Sequence, residues 1–100
     1  MAEYILEILK SQLMVLFSWG PHNFKRLPED KGLSFQVEGF KYRGVVEVIY
    51  NIGKDLFDVV LTDNGTRVED VYLDNLINVI DNLVEKTSNY EHRVKQEYAL

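Results

Sequence analysis

The chain contains no cysteine. That absence excludes a disulfide scaffold and any thiolate metal site. A membrane-length apolar run is missing too. The stretch from Tyr4 to Trp19 is 16 residues long and carries Glu7 and Lys10, too short and too charged to span a bilayer. The early charges are Glu3 and Glu7, so a secretory signal with its positive start is not evident, and a cytoplasmic location is expected. Histidine is scarce: His22 and His92 stand apart, in no HExxH-like spacing and beside no nucleophile motif. The glycines Gly39, Gly44, Gly53 and Gly65 form no phosphate-cradling pattern, and Asp63-Asn64-Gly65 lacks the spaced ligands of a calcium loop. No metal, no cofactor and no enzymatic activity are therefore expected.

Positive charge is the last scarcity, and it is local. Residues 63–85 hold six acids (Asp63, Glu69, Asp70, Asp74, Asp81, Glu85) against the single base Arg67. This segment accounts for the whole formal net charge of −5. A negative surface repels phosphates, so direct nucleic-acid or anionic-membrane binding is not expected.

What is present is enough for one packed domain. With 46% hydrophobic residues in a chain of 100, the sequence is too apolar for disorder and too short for two cores. A single domain is expected over residues 1–100, its core at 1–88 and a tail at 89–100 that packs weakly or docks on a partner. The tail places Tyr90, Val94 and Tyr98 at i, i+4 and i+8, the spacing of a short helix.

Residues 2–18 read as a helix ended by Gly20-Pro21. Ile5, Leu6, Leu9, Leu13, Leu16 and Phe17 share one side, and Ile8, Val15 and Trp19 widen it. Residues 20–32 read as a connecting loop. Three strands follow. Leu33, Phe35 and Val37 alternate with polar residues; Phe40 to Tyr50 alternate again; and Leu56 to Leu61 put Phe57, Val59 and Leu61 on one face. A two-residue turn at Glu38-Gly39 sets Val37 opposite Phe40, and pairing Tyr50 with Phe57 keeps the third strand in phase. Thr66 to Val68 can add a short edge strand. A second helix is expected over about 70–86, with Tyr72, Leu73, Leu76, Ile77, Val79, Ile80, Leu83 and Val84 filling one broad apolar arc.

The expected fold is thus α+β in two layers. A three-stranded antiparallel meander carries an N-terminal and a C-terminal helix on one face, in the order α-β-β-β-α. Val45, Ile49 and Val60 then leave an apolar band on the other face. In topology alone, this order resembles the double-stranded-RNA-binding domain. Such domains bind phosphates with a lysine-rich start to their second helix, whereas here that start reads Glu69-Asp70-Val71-Tyr72-Leu73-Asp74. The opposite sign puts RNA binding in doubt.

Two features point to a role. On a straight helix Asp70, Asp74, Asp81 and Glu85 fall within about 60° of one another, an acidic face suited to docking a partner with a basic patch. An alternative use of the same spacing is an inhibitor that imitates nucleic-acid charge. The second feature is the wide apolar arc of the first helix. Leu6, Ile8, Gln12, Val15 and Trp19 are the expected self-association residues, with the Gln12 amide finding its partner across the seam of a two-fold dimer. The sequence-level reading is a small, non-catalytic protein-interaction module.

Overall fold

The computed structural model describes residues 1–85, and the expected tail at 89–100, with Tyr90, His92 and Tyr98, lies outside them. The first apolar segment does not run as one helix. It forms α1 (Ala2–Lys10) and α2 (Leu13–Ser18), broken at Ser11-Gln12, where Gln12 adopts φ −131° and ψ 74°. The Ser11 hydroxyl donates to the Ile8 carbonyl at 2.6 Å, a local bond that competes with the helical ladder. The break resets the phase. On α1, Ala2, Ile5 and Leu9 are buried; on α2, Leu16 is buried, while Leu13, Met14 and Phe17 turn outward.

The segment expected to be a loop supplies a further strand and a 3₁₀ turn. β1 is His22–Arg26, and Pro28–Asp30 forms the turn. β2 (Gly32–Glu38), β3 (Arg43–Asn51), β4 (Leu56–Leu61) and β5 (Thr66–Val71) complete a five-stranded antiparallel sheet in the order β1-β2-β3-β4-β5. The three-stranded meander is thereby corrected to five strands, and the topological likeness to the RNA-binding domain goes with it. A 3₁₀ turn at Leu73–Asn75 leads into α3 (Leu76–Val84), so the second helix starts later than position 70.

The strand phase follows the alternation. Leu33 pairs with Val48, Phe35 with Val46, Val48 with Val59 and Tyr50 with Phe57, which puts all of these side chains on one face. That face is packed by α1 against β2 and by α3 against β4, which makes two layers. The core runs from Ile5, Leu9 and Trp19 through Phe35, Val46 and Val59 to Leu76 and Ile80. Val45, Ile49 and Val60 sit half-buried on the opposite face.

The β2–β3 turn differs from expectation. Val37 faces Gly44, and Gly39 to Tyr42 form the tip, closed by the Gly39 amide donating to the Tyr42 carbonyl at 3.0 Å. Phe40 is therefore exposed in the turn instead of lining the core, while Tyr42 is buried. The tip seats on the C-terminus of α3. The Lys41 amide donates to the Val84 carbonyl at 2.9 Å, and the Lys41 ammonium reaches the Asn82 carbonyl. Both carbonyls belong to the last turn of a helix, where no intrahelical donor is left for them.

Candidate functional site

The four carboxylates expected on one helix face are dispersed. Asp70 lies in β5 with φ 59°, its carboxylate paired with Lys54 at 3.0 Å. Asp74 is exposed in the 3₁₀ turn. Asp81 accepts the Trp19 indole N–H at 2.9 Å. Glu85 is only 6% exposed and accepts the Phe40 amide at 3.0 Å. Of the four, Asp74 and Asp70 are exposed, and Asp70 is already paired with Lys54, so these four form neither a continuous acidic docking face nor a phosphate-like array. Asp81 and Glu85 are structural acceptors: each satisfies a donor brought to it by a distant segment.

A further carboxylate, missed in the sequence, is buried. Asp58 on β4 accepts from the Arg67 guanidinium at 2.8 Å and from the Asp70 amide at 3.3 Å. The ladder slips between Phe57 and Val59, where two residues of β5 oppose one of β4. The Asp58 side chain supplies the bulged amide with the acceptor that the ladder no longer gives.

The expected self-association residues are split as well. Trp19 is fully buried, stacked on Phe35 with ring centroids 6.5 Å apart, and is unavailable to a partner. Ile8 and Val15 pack at the margin of the core. Gln12 is exposed at the helix break and does not sit within an apolar seam. Leu6 alone joins the surface that the break creates. There α2 and β1 present Leu13 (49% exposed), Phe17 (64%) and Phe24 (39%) around a groove of about 390 Å³ that Pro21 also lines. Phe24 is held by its ring contact with Phe35, 5.5 Å between centroids. Reading α1 and α2 as one helix sent Leu13 and Phe17 into the core. The polar pair Ser11-Gln12 inside an apolar run was the available signal of the break.

The groove is bordered by both signs of charge. Lys10 lines it, and the adjoining hollow beside Leu6 and Phe24 holds Lys25, together with Glu3 bonded to Arg26. β1 next to it is an edge strand, all five of its residues exposed.

A second cleft, about 410 Å³, opens between α1, the β3–β4 turn and the turn before α3. Tyr4, Tyr50, Phe57, Asp55, Met1 and Leu73 line it. The Tyr50 and Phe57 rings lie 5.5 Å apart at 55°. The Tyr50 hydroxyl donates to Asp55 at 2.5 Å, and this bond to a carboxylate raises the phenol above the ordinary tyrosine range, with burial and the Asp55 charge adding to it. Because the folded value lies above the unfolded one, the stability contributed is present below the ordinary phenol range and is lost as pH rises through the folded value. Difference titration of phenolate absorbance against Tyr50→Phe is expected to show one phenol titrating late. Asp55→Asn is expected to return it toward the ordinary range.

Among the described residues no group of three or more His, Asp or Glu is placed to hold a metal ion. The exposed His22 ring places Nδ1 3.0 Å from the Gly20 carbonyl, within hydrogen-bond reach. No described helix is long and apolar enough to cross a membrane. Comparison of the chain with protein families, with curated proteins and with solved structures finds no match.

Proposed function

We propose that the protein is a non-catalytic interaction module that self-associates through the groove between α2 and β1, with a second copy of the chain as the occupant. The observation that carries this reading is the outward display of Leu13, Phe17 and Phe24 around one hollow. Large apolar side chains grouped on a surface lower their free energy by leaving water together, whereas singly scattered ones carry no such message. Two features favour a second copy. Beside the groove stand Lys10, Lys25 and the Glu3–Arg26 pair, so a two-fold axis can set the exposed Glu3 carboxylate of one copy near a base of the other while it keeps its own Arg26. And β1 is an edge strand beside the groove, with backbone groups that a second β1 can pair.

Phe17→Asp tests the reading. Burying a phenylalanine is worth about 1.5–3 kcal/mol, and two-fold symmetry doubles the loss, so dimer affinity is expected to fall by roughly 10²–10⁴-fold. Light scattering at micromolar concentration is expected to give a dimer for the native chain and a monomer for the variant, with unchanged far-UV circular dichroism. A native chain that is monomeric throughout, or a variant that stays dimeric, overturns the proposal.

A further inference from the structure

The cleft between Tyr4 and Tyr50 has a composition that an apolar ligand does not call for. Its lining combines the aromatic residues Tyr4, Tyr50 and Phe57 with Leu73 and Met1, and holds one carboxylate, Asp55. Asp55 is fixed there by its own turn. The Asn51 side chain accepts the Gly53 and Lys54 amides at 3.1 and 3.2 Å, and Asp55 takes φ 55°. One Asp55 oxygen accepts the Tyr50 hydroxyl, and among the described residues no cation pairs with this carboxylate. The neighbouring Lys54 is turned away to Asp70. Met1 also lines the cleft, and its ammonium is held by Asp30.

Aromatic faces carry a negative quadrupole, and a carboxylate adds a full charge. Together they select a cation with a hydrocarbon skin, because such a cation is weakly hydrated and exchanges little water energy for the contact. A bare metal ion needs several oxygen ligands at once, which the cleft does not offer. A guanidinium demands a paired, planar set of acceptors, and here one Asp55 oxygen is already engaged.

We propose that this cleft binds an alkylammonium group, with Tyr4 and Tyr50 as its walls and Asp55 as its counter-ion. Such a group can come from a small organic cation or from a methylated lysine side chain, and the chemistry at the site is the same. The site shares no lining residue with the α2–β1 groove, so the two proposals stand or fall separately.

Choline and its neutral isostere 3,3-dimethylbutan-1-ol are the decisive probes, added to the native chain while the ring signals of Tyr4 and Tyr50 are followed by nuclear magnetic resonance. Choline is expected to shift both rings in a saturable way, and the isostere to bind about fivefold or more weakly. Asp55→Asn is expected to weaken choline while leaving the isostere unchanged. A short peptide carrying trimethyllysine separates the sources: tighter binding than choline assigns the site to a protein partner, and equal or weaker binding assigns it to a free cation. Equal affinity for choline and the isostere, or no shift at Tyr4 and Tyr50, overturns the proposal. The isostere comparison uses the native chain, so a variant that fails to fold does not remove the test.

Discussion

Trp19→Ala is expected to cost about 3–5 kcal/mol of folding stability, a large share of what a domain of this size holds. The residue joins three parts of the molecule. Its ring is fully buried and stacks on Phe35 of β2 with an interplanar angle of 11°. Its indole N–H donates to Asp81 of α3 at 2.9 Å, and its carbonyl accepts the Glu38 amide at 2.7 Å. Truncation removes the apolar contact, leaves a void that packed neighbours fill only in part, and strips the half-buried Asp81 carboxylate of its donor. Trp19→Phe separates these contributions. It keeps most of the packing and loses the hydrogen bond, for an expected cost of about 1–3 kcal/mol. Since Trp19 is the sole tryptophan, unfolding is followed by far-UV circular dichroism in denaturant instead of by fluorescence. A loss below about 1 kcal/mol for Trp19→Ala would mean that the helix layer is not keyed to the sheet through this ring.

The role of Trp19 shows how far local pattern reaches and where it stops. The bounds of β4, Leu56–Leu61, and the Tyr50–Phe57 register follow from alternation, because a one-residue slip would send Phe57, Val59 and Leu61 into water. The buried side of α3, Leu76, Ile77, Ile80 and Val84, follows from its helical period in the same way. Asp81 and Glu85 read as outward when all eight apolar positions from Tyr72 to Val84 enter the arc, because its centre then lies about 120° from Asp81. Tyr72 and Leu73 are exposed, and Val79 and Leu83 are only half-buried. The buried set Leu76, Ile77, Ile80 and Val84 centres about 85° from Asp81, within reach of a donor from another element. No periodicity reports that such a donor exists.

The α1–α2 break was hidden for a different reason. The whole stretch from Ile5 to Trp19 is apolar enough to satisfy either one helix or two, and the break falls where Ser11 bonds back to Ile8. Where the helix breaks settles whether Leu13 and Phe17 are core or surface, and with it where the candidate interface lies. β1 was likewise concealed. Its exposed residues His22 to Arg26 carry no alternation to read, and Asn23 at φ 54° interrupts the ladder between His22 and Lys25. Edge strands need only one partner and can be polar throughout, which leaves a sequence indistinguishable from a loop.

The hairpin tip offers the second large effect. Gly39→Ala is expected to destabilise the fold by about 1–3 kcal/mol, the range for forcing extra atoms into a packed contact. A Cβ at Gly39 would stand 2.3 Å from the Val84 carbonyl oxygen and 2.5 Å from Val84 Cγ1. The obstacle is backbone at the end of α3, so no flexible side chain can swing aside. Relief requires the tip to lift from the helix, and that movement breaks the Lys41 amide bond to Val84 and the Phe40 amide bond to Glu85 together. Glu85, only 6% exposed, then either loses its partner or leaves its buried place. Gly53→Ala is the matched control. There the nearest atom to a new Cβ is Asn51 Oδ1 at 3.5 Å, an ordinary contact, and the change is expected to be neutral or to stabilise slightly by about 0.4–1 kcal/mol through the unfolded chain. Hydrogen exchange locates the effect: the Phe40 and Lys41 amides are expected to lose protection in Gly39→Ala, while the β3–β4 ladder around Val48 and Val59 keeps its own. Equal stability of the two alanine variants would show that the tip does not rest on α3.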